Sequence, residues 1–268
     1  MTLPGDTSGW TIGAGAALLA TVIACTSPDA VSRRDPVEHA IESAEAFLQR
    51  RDGSLDPLMT YVLARLERRY GLTWTAAQRA QVLSAARSSP QLRLFGRLVD
   101  PAARPDAAAL DTITNPSDRL ILAALYCREI GAPTTDAVAA FAVKPGADVS
   151  HGALALQWLL ENECMSDAQA EPLRRRFVSA LAAQAAQPPT TDVGIEAMAM
   201  LDYLGSSDRI DRSWVDATIR AQHADGGWGE HPADPSNDHT TALALWVLLA
   251  VSGRPAVEGP WIAPAPHP

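Results

Sequence analysis

Residues 239–249, His239-Thr-Thr-Ala-Leu-Ala-Leu-Trp-Val-Leu-Leu249, carry no charge after the leading histidine. A run this apolar, without polar/apolar alternation, reads as a helix buried on nearly all sides. Four earlier segments share the design, an Asp or His followed by an apolar stretch. They are Asp56-Pro-Leu-Met-Thr-Tyr-Val-Leu-Ala-Arg-Leu66, Asp118-Arg-Leu-Ile-Leu-Ala-Ala-Leu125, His151-Gly-Ala-Leu-Ala-Leu-Gln-Trp-Leu-Leu160 and Asp192-Val-Gly-Ile-Glu-Ala-Met-Ala-Met-Leu201. Most are followed by a glycine suited to ending a helix: Gly71, Gly131, Gly205 and Gly253.

Working outward, amphipathic helices are predicted between them, over 37–50, 75–88, 135–143, 167–187 and 212–222. Alternation of wholly apolar with half-apolar helices predicts two layers, the apolar set inside. The expectation is an all-α domain over 36–253 built from five or six helical hairpins. Residues 89–116 contain four prolines and read as a long connection. The proline-rich stretch 254–268 reads as a tail without a regular element.

Composition sets outer limits. The 268 residues are 47% apolar and 20% charged, an ordinary globular balance. A net charge of −9 and a pI of about 5.1 argue against a general nucleic-acid binder, because no cationic excess exists to neutralise phosphates.

At the N-terminus, residues 10–25 are a run of sixteen without charge. That is short of the roughly 20 residues a membrane-spanning helix needs, but it suits the apolar core of a secretory signal. Its end, Val22-Ile23-Ala24-Cys25, resembles a bacterial lipobox. The resemblance implies a signal segment over 1–24, a lipid on Cys25, a linker over 25–35 and residence at the cell envelope, held to the membrane by that anchor. One feature departs from it: residues 1–24 contain no Lys or Arg. The alternative is a buried first helix of a cytoplasmic protein. Cys127 and Cys164 then remain, either to pair in an oxidising compartment or to fill space on two helices.

The motif Gln222-His-Ala-Asp225-Gly226-Gly227-Trp228-Gly229 resembles the glutamine–tryptophan repeat of squalene-hopene cyclases. The following Ser236-Asn-Asp-His-Thr240-Thr241 is similar to the start of the next inner helix in that superfamily, and Gln49-Arg-Arg-Asp52-Gly53 echoes the motif earlier. The superfamily includes terpene cyclases and protein prenyltransferases, and the resemblance implies an α/α toroid, a barrel of helical hairpins, here a short ring of five or six that is either closed or incomplete. On physical grounds Gly226 and Gly227 allow a sharp turn, Gln222 can bond exposed backbone, and Trp228 can lie across a neighbouring hairpin. This is chiefly a structural motif.

In such toroids the inner helices start at one mouth, which would gather Asp56, Asp118, His151, Asp192, Asp238 and His239. His151, His239 and Asp238 are candidate ligands for a divalent metal such as Zn²⁺, and His151, His239, Asp192 and Asp238 are candidate catalytic groups. Helix capping is the competing reading for the aspartates. The prenyltransferase zinc triad does not transfer, since no cysteine lies near Asp225–Asp238. D-x-D-D, D-D-x-x-D, G-x-S-x-G, P-loop and H-E-x-x-H motifs are all missing from the sequence. The expected function is therefore a non-catalytic or weakly catalytic toroid that binds a lipid-like, isoprenoid-like or polymeric ligand. The alternative is an enzyme, a cyclase or prenyltransferase relative or a lyase, working through a His/Asp cluster.

Overall fold

The computed structural model describes residues 35–51, 55, 57–72, 80, 84, 93–105 and 107–262. The expectations for residues 1–24, for Cys25, for Asp52, Gly53 and Asp56, and for most of 75–88 lie outside the described residues. Among the described residues the chain is all-α, and its only strand-like pairing is an isolated antiparallel bridge between Trp228 and Asn237.

Helix α1 (Pro36–Arg50) starts at Asp35, whose carboxylate accepts from the Val37 N–H at 3.0 Å. Its buried Val37, Ala40, Ile41, Ala44, Phe47 and Leu48 recur at helical spacing and form one face. Helices α2 (Pro57–Tyr70) and α3 (Ala107–Asp111) follow. Helix α4 (Pro116–Leu125) breaks at Tyr126 and resumes as α5 (Cys127–Ile130), and α6 (Thr135–Ala139) tightens into a 3₁₀ turn over Ala140–Val143. The rest are α7 (Ala147–Glu161), α8 (Asp167–Ala185), α9 (Asp192–Tyr203), α10 (Arg212–Arg220) and α11 (Asp238–Val251). The helix-ending glycines Gly71, Gly131, Gly205 and Gly253 all have φ between 68° and 90°, a left-handed backbone that other residues adopt at a cost.

The apolar set lies inside, as its composition requires. Helix α4 packs on α7, α7 on α9, α9 on α11, and α11 on α2. From Gly194 to Tyr203 every residue of α9 is buried, and so is every residue of α11 from Thr240 to Leu249. Helices α1, α8 and α10 flank this set: α1 rests on α11, α8 on α7 and α9, and α10 on α1 and α11.

Cys127 and Cys164 form a disulfide that ties α5 to the turn after α7, with Cα atoms 6.3 Å apart. Closing a loop over a separation of 37 residues contributes about 4 kcal/mol in the chain-entropy view. Beside it the Asn162 amide donates to the carbonyls of Ala124 and Leu125 at 3.0 and 3.2 Å, satisfying the end of α4.

The described part of the proline-rich stretch, residues 254–262, has no regular element, as its composition predicts, yet Trp261 and Ile262 are buried in the core. Trp261 meets Trp158, Trp246 and Tyr203 edge-on, with ring centroids 5.6–5.8 Å apart. Arg68 donates to the Trp261 carbonyl, the Val257 N–H donates to the Arg69 carbonyl, and the Ile262 N–H donates to Glu161. These bonds lay the segment across the C-terminal ends of α2 and α7. A proline-rich stretch docks this way because it gives up little backbone freedom on ordering.

The Gln222–Trp228 loop ties the C-terminal part of the chain back to α1. The Gln222 amide donates to the carbonyls of Ala40 and Gly226, both at 2.9 Å. Gly226 has φ +88°, and a Cβ there would lie 2.3 Å from the Ser43 carbonyl oxygen, so only glycine lets the loop reach α1. Asp225 accepts from the Gly227 N–H at 3.1 Å and from the Ser236 hydroxyl at 2.8 Å. Trp228 is 1% exposed, and its indole N–H donates to the Thr218 carbonyl at 2.8 Å. His223 bonds through its two ring nitrogens with the Ser236 hydroxyl and the Pro232 carbonyl. Trp228→Ala is expected to cost about 3–5 kcal/mol in chemical denaturation, as a packed core aromatic does. A loss under about 0.5 kcal/mol, typical of an uninvolved surface position, would contradict the closing role.

Candidate functional site

A cavity of about 270 Å³ lies among the five inner helices. Three of them each contribute one stripe of side chains at helical spacing. Helix α7 presents His151, Leu154 and Trp158; α9 presents Glu196 and Met200; α11 presents His239, Leu243 and Trp246. Each stripe starts polar near the helix N-terminus and turns apolar one turn later. Asp118 with Ile121 and Leu122 repeats the pattern on α4, while Met59 and Val62 supply the wall from α2. Trp158, Trp246 and Trp261 also line the cavity, the last from the docked C-terminal segment. The result is an apolar, aromatic chamber with a polar rim.

The rim brings together most of the predicted residues and shows what each one touches. The His239 Nε2 stands 3.5 Å from an Asp192 carboxylate oxygen, and the Thr240 hydroxyl donates to the other oxygen at 2.7 Å. Burial works against the Asp192 charge, but His239 and Thr240 outweigh it and hold the carboxyl below its usual range. The His151 Nε2 lies 4.0 Å from Glu196. Burial is the main influence on His151 and pushes its pKa down, so the imidazole is neutral at neutral pH.

Two expectations need correction. Asp238 does not join the rim: its carboxylate turns to Arg51 at 3.3 Å. Asp118, Asp192 and Asp238 also do not cap their helices, because Asn115, Thr191 and Asn237 occupy the cap positions and accept the backbone N–H bonds. That leaves Asp118 and Asp192 available to the rim. His151 sits a full turn inside α7, whereas His239 is the second residue of α11. Each nevertheless precedes a cavity-lining Trp by seven residues, and this repeat places both imidazoles at the same level.

The divalent-metal expectation does not fit these residues. Among the described residues no three His, Cys, Asp or Glu side chains converge in a way that would hold a metal ion. With Asp238 engaged by Arg51, the His151–His239–Asp238 set is not assembled.

Glu196 is the rim residue that sequence reasoning missed. It lies in the middle of an apolar helix, where a carboxyl exposed at only 8% is uncommon. Burial is the largest influence on it, with Asp192 adding to the rise and His239 opposing it, and its pKa goes from the ordinary 4.5 up to about 7. The Ser150 hydroxyl is near enough to favour the carboxylate slightly. Even so, no partner stands within hydrogen-bond geometry of the Ser150 Oγ or of the His151 Nδ1.

Comparisons with protein-family models, with curated proteins and with solved structures return no match.

The buried carboxyl has a consequence for stability. Folding raises the Glu196 pKa, so between pH 4.5 and about 7 the unfolded chain releases a proton that the native chain keeps. Stability therefore falls as pH rises through that window, by about 3 kcal/mol at roughly 1.4 kcal/mol per unit. Glu196→Gln removes this dependence. Urea unfolding of both proteins is expected to show the variant gaining about 2.5 kcal/mol relative to the parent between pH 5 and pH 8. A difference that does not change with pH would mean Glu196 titrates normally.

Proposed function

We propose that the chain is a ligand-binding α/α toroid of the terpene cyclase and prenyltransferase kind, anchored at the cell envelope through a lipid on Cys25. In this reading its chamber takes a small hydrophobic, isoprenoid-like ligand. The observation that carries the proposal is the chamber itself, about 270 Å³ lined by aliphatic and aromatic side chains. That volume is just under the roughly 300–1,000 Å³ typical of drug-sized ligand sites. It suits a compact molecule with one polar end better than a polymer.

Several features support the ring. From α4 to α11 the inner helices pack in chain order, α11 rests on α2, and the glutamine–tryptophan loop joins α10 to α1. The Cys127–Cys164 disulfide supports export, because such bonds persist in oxidising compartments. Among the described residues no helix is long and apolar enough to cross a membrane, so membrane residence in this reading rests on the lipid. The lack of cyclase aspartate motifs favours binding over catalysis.

A second reading, catalysis, is favoured by one observation. Glu196, whose pKa is near 7, lies across from a neutral imidazole, a combination that suits an acid and a base working near neutral pH.

Binding of the monoterpene myrcene, followed by the fluorescence of the tryptophans that line the chamber, tests the main reading. Saturable binding that is lost in Leu154→Trp, which fills the chamber, is expected. Absence of binding up to the solubility limit, or binding indifferent to that substitution, would contradict it. For the anchor, mass spectrometry of the native protein is expected to show residues 1–24 removed and a diacylglycerol-type mass on Cys25. An intact, unmodified N-terminus would remove the envelope proposal.

A further inference from the structure

We infer that the rim receives a protonated amine, so that the ligand is a small hydrophobic body ending in an alkylammonium group held by Asp118 and Glu196. The inference rests on the chamber binding an isoprenoid-sized body and adds the chemistry of the head group.

The balance of charge at the rim points to a cation. Among the described residues that line the chamber none is Lys or Arg, while Asp118 and Glu196 both line it. Both stand beside His151, Glu196 at 4.0 Å and Asp118 near enough to oppose the fall in its pKa. Burial keeps that imidazole neutral at neutral pH, so it offsets neither carboxyl. Asp192 differs, since His239 and Thr240 already engage it. The rim is left negative, and a cation is the head group that cancels the excess.

Both carboxyls are also unmet and open. Among the described residues neither Asp118 nor Glu196 receives a hydrogen bond. Glu196 is 8% exposed, and its oxygens, unlike the sealed Ser150 Oγ, keep surface on the chamber that they line. Asp118 is half-buried at the same rim. Buried polar groups nearly always have a partner, so an open carboxyl without one marks a place for a ligand donor. An ammonium brings three N–H donors and a charge; an alcohol brings one donor and no charge.

Glu196 makes the binding pH-dependent. Burial holds its pKa at about 7, with Asp192 adding to the rise and His239 opposing it, so near neutrality the group is divided between acid and carboxylate. A bound ammonium draws it to the carboxylate and expels the proton, whereas a neutral ligand does not. An anion favours the acid form and still meets Asp118. Around Glu196 stand His151 from α7, His239 from α11 and Asp192 on its own helix. Asp118 from α4 and Tyr61 from α2 line the same chamber, and α8 buries only apolar side chains. Protonation of either histidine as pH falls also weakens the hold on a cation, so the share of Glu196 is read from its replacement.

Geranylamine, geraniol, geranate and myrcene share one body and differ at the head, and their affinities for the full chain are measured by tryptophan fluorescence. At neutral pH geranylamine is expected to bind at least about tenfold more tightly than the other three, the worth of one charge-assisted hydrogen bond. Asp118→Asn and Glu196→Gln are each expected to cut that preference by about threefold or more, with myrcene still bound. Leu154→Trp, which fills the chamber, is expected to abolish binding of all four. From pH 6 to pH 8 the affinity of the unaltered protein for the amine is expected to rise by up to about tenfold, and less steeply in Glu196→Gln. Geraniol or geranate binding as tightly as the amine overturns the inference while the chamber reading stands. So does a preference that survives both carboxyl substitutions, or a pH slope that Glu196→Gln leaves undiminished. If no probe binds, myrcene included, the chamber reading itself fails and the inference fails with it.

Discussion

The amide of Gln222 is the fixed point on which the other long-range contacts depend. It spans 182 residues of sequence to reach the Ala40 carbonyl and at the same time holds the Gly226 carbonyl of its own turn. Gly226 makes the approach to α1 sterically open, and Trp228 then locks the turn by filling a buried slot and donating to Thr218. Each element is weak alone: a net hydrogen bond contributes about 1 kcal/mol. Together they join α10 and the start of α11 to α1 at a place where closing the loop carries a large entropic cost. Once α11 is held there, its apolar surface can bury against α9 on one side and α2 on the other, and the chamber forms between them.

The chamber puts opposite demands on the same helices. The lower turns of α7, α9 and α11 supply Trp158, Met200 and Trp246, which gain free energy by leaving water. Their N-terminal halves supply His151, Glu196 and His239, which lose free energy when buried. Asp192, Thr240 and His239 offset part of that loss among themselves, but Glu196 stays costly and becomes more so as pH rises. A binding pocket commonly keeps such locally unfavourable groups, since a site optimised for stability alone would have an aliphatic residue at position 196. At the opposite end, Arg65 is buried at 4% exposure and lies against the rings of Tyr203, Trp246 and Trp261. Cation–ring contact takes the place of some of its lost hydration and helps seat the C-terminal segment.

Much of this was legible in the sequence. The wholly apolar stretches at 151–160, 192–201 and 239–249 marked the inner helices because no amphipathic face divides them, and the glycines after them marked their ends. His151, His239 and Asp192 could be placed near one another because they recur at the start of similar stretches. The misreadings have local causes. Asp238 and Asp192 both open inner helices, and nothing in the sequence says that Arg51 captures the first while His239 keeps the second. The caps were assigned one to three residues late, because Asn115, Thr191 and Asn237 carry the same chemistry as the aspartates beside or near them. Glu196 is a lone polar residue in an apolar run, the kind that has to face a cavity, but its run carries no second polar residue to mark a site. The spacing of seven residues from His151 to Trp158 and from His239 to Trp246 was a visible signal for the stripes. Burial of Trp261 was not visible, because proline-rich stretches carry no periodicity.

Native-state hydrogen exchange on Gln222→Ala tests the closure most directly. If the Gln222–Trp228 turn holds α11 against α1, protection is lost together in α1 and α11, while α7 and α8, tied by other contacts, keep theirs. Loss confined to the amides of residues 222–228, with α1 and α11 still fully protected, would show that the helices close without the clamp and would contradict the account.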